Sequence, residues 1–306
     1  MKNGTRVRIS RFRPAAALKI SGEDALPFLQ GQFTQDLKTL GQTSTRYGLW
    51  LNQKGKVLAD SFILNAAGGG FWILSYFSPA AVIRERLESY IIADDVEIED
   101  QTDAWSGITV IGDGGPGWLR ERGIDVSETG SCEKSDGELI WSGRRAASKC
   151  WDWLMPAEKA AAVDLGGALL LSDEELESIR IEDGIPAVPR EVGPGDLPNE
   201  AGLERDAISY AKGCYLGQEV MARLKAMGQV RRRLVRVRGV APAPEARATS
   251  LFFGDKRVGE LRSAVRTEAG WVGFAMVNTS GLTPAAVLSL SLAGTADIRM
   301  EFLTHE

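Results

Sequence analysis

The sequence is poor in histidine and cysteine, and those two shortages exclude more chemistry than any other feature of its composition. One histidine occurs in 306 residues, His305, next to last in the chain. A Ser-His-Asp triad, a Cys-His pair and a HExxH metal site each need a positioned histidine, so none of them is on offer. The three cysteines, Cys132, Cys150 and Cys214, are odd in number and include no CxxC pair. They argue against a disulfide scaffold, a four-cysteine zinc site and a single-chain iron–sulfur site, and no stably bound metal is expected. No apolar run approaches the ~20 residues that a bilayer crossing requires. The first twenty residues are basic but lack the apolar stretch of a secretory signal, so a cytoplasmic protein without membrane contact is expected. Positive charge is not in excess either: 36 Lys and Arg face 41 Asp and Glu, a formal net charge of -5. That balance argues against a general nucleic-acid binder, while leaving room for a local basic patch.

What remains is an ordinary soluble composition, 44% hydrophobic and 25% charged, in a chain long enough for more than one lobe. Residues 5–20 read as an opening strand region. Residues 21–36 follow as a helix, with Ser21 or Gly22 as cap and Leu26, Leu29 and Phe33 on its apolar face. Strands over 46–51, 56–64 and 71–76, joined by the turn 52–55, suggest a meander. Gly55-Lys56 is not a P-loop, because no Ser or Thr follows the lysine. Residues 80–92 form an amphipathic helix, and the acidic run 94–100 reads as an exposed strand. The sequence Gly112-Asp113-Gly114-Gly115-Pro116-Gly117 is formally GxGxxG. A dinucleotide site needs a helix starting inside that loop within a βαβ unit, and Pro116 argues for a plain glycine-rich turn instead. Ser172 caps a further helix. From Gly228 onward the chain turns to short strands at regular spacing, the pattern of a small β-barrel. The first of these, residues 229–238, carries five arginines. With Arg223 and Lys225 they could attract an anionic ligand tail or an RNA backbone; a solvated edge is the plainer alternative.

The densest chemistry lies in Lys212-Gly213-Cys214-Tyr215-Leu216-Gly217-Gln218-Glu219, followed by Val220-Met221-Ala222-Arg223. Residues from Gln218 to Gly228 are good helix formers ending at a glycine C-cap. Cys214 therefore sits just ahead of a helix N-terminus with Lys212 two residues away, and both features favour thiolate. The plainer alternative is a buried cysteine in a structural turn.

This octapeptide resembles the K-G-C-[FY]-x-G-Q-E signature of the YgfZ-like proteins, folate-binding relatives of the glycine-cleavage T-protein. Residues 21–36 are similar to the G-x-D-A-x-x-F-L-x-x-x-x-T-x-D pattern near the start of such chains. The order R-I-x-x-G-I-P, P-N-E-x-x-L and then the Lys212 signature is also theirs. The resemblance implies an α+β, T-protein-like fold, with lobes around a central funnel and a C-terminal β-barrel. It divides the chain into a folate-binding part, residues 1–230, and a barrel domain, residues 231–306. It further implies tetrahydrofolate as the ligand, with Asp60, Tyr47, Trp50 and Arg223 as candidate contacts. Cys214 and Lys212 become the chemically active pair, shaped by Gly213, Tyr215, Gly217, Gln218 and Glu219.

The implied function is support of iron–sulfur cluster assembly or repair in client enzymes, tRNA-modifying ones among them, through transient partner contacts. A folate-dependent aminomethyltransferase or demethylase is the first alternative. It is weakened because the pterin-binding glutamate of true T-proteins has no counterpart in Arg145-Ala146-Ala147-Ser148-Lys149-Cys150. A folate- or RNA-binding module without chemistry is the second.

Overall fold

Pro14 splits what the sequence presents as one opening strand. Lacking an N–H, it cannot extend a ladder, and the residues on its two sides join different sheets. The computed structural model describes residues 6–42, 44–66, 68–126, 132–133, 137–228, 230–240, 242–244, 249–292 and 294–303, so His305 lies outside the described residues.

In chain order the elements begin with β1 (Arg8–Phe12), β2 (Ala16–Ser21), α1 (Ala25–Gln32), β3 (Thr45–Leu51), β4 (Val57–Asn65), β5 (Phe71–Ser75), α2 (Ala80–Glu88) and β6 (Glu97–Asp100). Next come β7 (Trp105–Ile111), α3 (Gly115–Arg120), β8 (Cys132–Glu133), β9 (Leu139–Ser142), β10 (Cys150–Pro156), α4 (Ala157–Ala162), β11 (Leu169–Leu170), α5 (Asp173–Glu182) and α6 (Gln218–Met227). The chain closes with β12 (Arg232–Gly239), β13 (Ser250–Phe253), β14 (Lys256–Thr267), β15 (Gly270–Asn278), β16 (Val287–Leu288) and β17 (Ile298–Phe302).

The first sheet runs β3-β4-β5-β2-β6 and contains the expected meander, every neighbour antiparallel. Its alternating residues serve two cores. Leu18, Ile20, Trp50 and Ile63 pack with Leu29 and Phe33 of the α1 region and Ile83 and Leu87 of α2. Ala17, Phe62, Leu64 and Leu74 point the other way and meet Leu139, Trp141 and Leu154 of the second sheet. That second sheet runs β11-β1-β7-β10-β9-β8. The two lobes thus share a sandwich interface, crossed by the chain at Arg13-Pro14.

The third sheet runs β13-β14-β15-β12-β17-β16 and is nearly closed by a bridge between Phe252 and Ser289. Val235, Val237, Leu261, Ala275 and Val277 fill this barrel-like interior. Leu234, Phe274 and Met276 face outward into a central cluster with Leu49, Val57, Val188, Tyr215 and Met221, which ties the barrel to the rest.

One local expectation fails. A short helix, α3, does begin inside the glycine-rich loop, because Pro116 suits the first helical turn and Trp118 and Leu119 bury themselves in the second lobe. The surrounding β7, β1 and β10 are antiparallel, so the loop is not part of a parallel βαβ unit.

Candidate functional site

Three stretches far apart in sequence are brought together around the signature loop. Ser209 N–H donates to the Thr34 carbonyl (3.0 Å) and Leu216 N–H to the Gly31 carbonyl (3.2 Å), strapping the loop to the end of α1. The third stretch is the β3–β4 turn. Gly217 N-caps α6 at φ 88°, and a Cβ there would meet the Asn52 carbonyl oxygen at 2.9 Å. Gly55 in that turn, at φ 69°, packs under the Met221 and Val220 side chains, where its Cβ would meet the movable Met221 methyl at 2.9 Å. Backbone angle favours glycine at both positions, and at Gly217 the fixed Asn52 carbonyl leaves no space for a side chain either.

Lys212 is buried. Its ammonium donates to the carbonyls of Gln30 (2.8 Å), Phe33 (2.5 Å) and Gln35 (2.9 Å). Burial lowers its pKa to about 8, partly offset by the Asp36 charge. This corrects its expected role: the lysine serves the backbone after α1, because three convergent carbonyls hold an ammonium far better than one neighbouring thiol. Tyr215 is also buried, its ring centroid 5.2 Å from the lysine nitrogen. Between these two anchors Cys214 is exposed, which overturns the reading of a buried structural cysteine. A Cβ placed on the neighbouring Gly213 would meet nothing within 4 Å, so the thiol's flank is open. Gln218 opens α6, its N–H on the Tyr215 carbonyl (3.1 Å). Glu219 and Arg223 form an exposed pair one turn apart (3.1 Å).

A second cluster lies where the two lobes meet. Asp60, on β4, is buried and takes four-sided support. Its Oδ1 accepts from the Ser75 (2.9 Å) and Ser78 (2.7 Å) hydroxyls, and its Oδ2 accepts from the Tyr47 phenol (2.9 Å). Its backbone N–H donates to Ser78 Oγ (3.0 Å). Burial raises the Asp60 pKa while the three hydroxyls pull it back, and burial beside Asp60 pushes Tyr47 well up. The Arg144 guanidinium lies 4.4 Å over the Tyr47 ring and is held by Asp206 (2.9 Å). Arg145 stacks 4.2 Å from both Phe12 and Tyr76. Tyr76 donates to Asp152 of β10, which also accepts from Thr109 (2.6 Å). The Nε atoms of Arg144 and Arg145 are buried without a hydrogen-bond partner among the described residues.

The candidate folate contacts are therefore not all in one place. Tyr47 and Asp60 touch. Trp50 is fully buried, its indole N–H on Ser61 (2.8 Å) and its ring 4.8 Å from Phe33, so as a ligand contact it drops out. Arg223 belongs to the exposed face of α6, not to the Tyr47–Asp60 cluster. The β12 arginines are largely neutralised at home. Arg232 pairs with Asp196 and Glu200, Arg236 with Glu301, and Arg238 with Glu182 and Glu301. Sequence reasoning missed Arg144, Tyr76 and Asp152. Asp152 had a signal, a lone acid inside the apolar strand Cys150–Pro156, where an unpaired charge is untenable. Among the described residues no group of three or more His, Cys, Asp or Glu is placed to hold a metal ion, and no helix is long and apolar enough to cross a membrane.

Comparisons with known proteins bear on the fold and its relatives. Residues 5–121 match the family model of the GCVT N-terminal domain. The chain is 28% identical over 305 residues to the tRNA-modifying protein YgfZ of Edwardsiella ictaluri, covering 93% of this chain and 87% of that one. It is 27% identical over 281 residues to the mitochondrial iron-sulfur cluster assembly factor IBA57 of Homo sapiens, covering 85% and 74%. Its fold matches the crystal structure of glycine cleavage system aminomethyltransferase T from Bartonella henselae, with a TM-score of 0.82 at 16% identity over 98% of this chain and 85% of that one. Residues 5–121 thus match the GCVT N-terminal domain family, and along most of its length the chain is similar to YgfZ and IBA57 proteins on a T-protein fold.

Proposed function

We propose that the protein is a cytoplasmic, tetrahydrofolate-binding factor that supports assembly or repair of iron–sulfur clusters in client enzymes, tRNA-modifying ones among them. The observation that carries this reading is the exposed Cys214, held between buried Lys212 and Tyr215 on a loop strapped to the first lobe. An accessible thiol on a rigid mount is suited to transient ligation or exchange, since its position is set before a partner arrives. One thiol supplies one ligand, so the remaining coordination of the cluster, which is cargo here, comes from the client or carrier. The names of the relatives support the same role, and nothing in it requires turnover by this chain.

The residues at the lobe interface fit a folate ring system. Tyr47 and Tyr76 supply aromatic surface, and the unpartnered Nε–H groups of Arg144 and Arg145 are buried donors for a heteroaromatic edge. Asp60 keeps one unused lone pair on Oδ2. Tetrahydrofolate, when bound, supplies one-carbon chemistry at its N5 and N10 nitrogens; this chain's residues orient it. In this reading residues 1–230 hold the ligand and 231–306 form the barrel domain.

The test is calorimetric titration with tetrahydrofolate, run on the native protein, Tyr47→Phe and Cys214→Ser. Native protein and Cys214→Ser bind alike, Tyr47→Phe binds more weakly, and Cys214→Ser fails to restore cluster-enzyme activity in cells lacking the protein. Full restoration by Cys214→Ser would sink the thiol's role, and absence of binding by the native protein would sink the folate half.

A further inference from the structure

A cavity of about 440 Å³ lies beside the signature helix, between the C-terminal half of α6, the segment 199–210 and β12. That size falls in the range of small-ligand sites. Its charged lining is lopsided. Arg205, Lys225 and Arg233 face it, while of its acids Glu200 is already held by Arg232 at 2.8 Å. Its other acid, Glu204, pairs at 4.0 Å with Arg205, and burial raises its pKa despite Arg205 and Arg233 nearby. The Lys225 ammonium sits 4.1 Å over the Tyr210 ring, which fixes one cation at the cavity wall.

Three polar atoms of this lining are buried without a hydrogen bond of good geometry among the described residues: Asn199 Oδ1, Glu204 Oε2 and the Tyr210 hydroxyl, which has only the Asn199 side chain beside it. Orphaned buried groups of this kind are uncommon, and each carries a desolvation penalty until something bonds to it. Two of the three are acceptors in their ordinary state, so the missing partner is a donor. Leu224 and Leu234 add apolar wall between the cations and the acceptors.

We propose that this cavity is a binding site for a small peptide-like acid, a molecule with at least one carboxylate for the Arg205–Lys225–Arg233 side and amide N–H groups for Asn199 and Glu204. A simple anion satisfies the cations and leaves the acceptors bare. A neutral amide does the reverse. Only a ligand with both groups, such as an N-acylamino acid or a di- or tripeptide, completes the lining. None of these residues belongs to the Tyr47–Asp60 cluster, and the inference stands apart from the cluster-assembly role.

The probe is S-methylglutathione, a tripeptide with two carboxylates and two amide N–H groups, whose methylated sulfur cannot exchange with Cys214. Calorimetry on the full chain at low salt should give a Kd below about 1 mM. Arg233→Glu, a substitution at an exposed position, should weaken binding at least about tenfold, as expected when a charge partner becomes a repulsive one. Tyr210→Phe should weaken it by about threefold with the melting temperature held within a few degrees. Citrate, which has carboxylates but no N–H donors, should bind at least about tenfold more weakly than the tripeptide. No binding of S-methylglutathione at millimolar concentration overturns the proposal. So does equal binding of citrate, or binding indifferent to Arg233→Glu. Tetrahydrofolate itself ends in an N-acylglutamate, so competition distinguishes sources: mutual displacement identifies that glutamyl end as the ligand, and independent binding identifies a separate peptide acid.

Discussion

Around Arg180 each charged group has a partner within hydrogen-bond distance, whereas around Tyr210 three buried polar atoms make no hydrogen bond of good geometry. Arg180 is 2% exposed; it grips Glu191 with two bonds (3.0 and 2.8 Å) and Glu177 with two more (3.2 and 2.7 Å), and Arg190 completes the group from the far side of Glu177 (3.0 Å). Burial there lowers the arginine's affinity for its proton, but its two carboxylates more than compensate and its pKa is raised. The contrast separates two uses of buried polarity. A closed network fixes how elements sit against each other, while an open one keeps capacity for something that arrives later.

The sharpest way to break the comparison is Arg180→Met. It strands the fully buried Glu191 carboxylate, and a loss of about 3–5 kcal/mol in urea unfolding is expected. Lys212→Met comes next. It removes three N–H donors, one from each of three carbonyls, and a loss of about 2–4 kcal/mol follows from the unsatisfied acceptors. This variant also has a pH signature. The folded-state pKa of Lys212 is depressed to about 8 from an ordinary 10.5, so the unfolded chain holds the proton more tightly between those values. Native stability relative to Lys212→Met should therefore rise with pH from about 8 to about 10.5, and a flat difference would show that the carbonyls hold the full charge. Tyr47→Phe leaves Asp60 with its two serine donors and should lose only about 1 kcal/mol. Tyr210→Phe should be neutral or slightly stabilising, because it deletes a hydroxyl that makes no hydrogen bond of good geometry and has only the Asn199 side chain beside it. A loss above about 1 kcal/mol there would mean that the open cluster is closed after all.

Much of the fold was legible because the local signals were strong and mutually consistent. Ser172 forms a full capping box with Glu175, as its spacing implies. Gly217 and Gly228 bracket α6, both with left-handed backbone. The split at Pro14 was less visible, since the residues on both sides of it read as strand and only tertiary pairing sends them to different sheets. At the site, the position of Asp60 on a strand and of Cys214 just ahead of a helix were readable from type and context. The roles of Lys212 and Trp50 were not, because neither the direction of a long side chain nor the face of a strand that turns inward is fixed by spacing alone. The β12 arginines show the same limit. Their partners, Glu182, Glu200 and Glu301, lie up to 65 residues away.

The crossing at Pro14 also governs the order in which the molecule can be assembled. The first sheet needs only residues 16–100, so its pairings are complete once that stretch is available. Strand β1 precedes all of it, yet Arg8 pairs with Ile111 and, on its other side, with Leu169. It must wait unpaired while more than a hundred residues are made, an edge exposed early and covered late. A fragment ending near residue 121 would contain β1 and β7 but not β10, leaving the inner edge of β7 open to a second molecule.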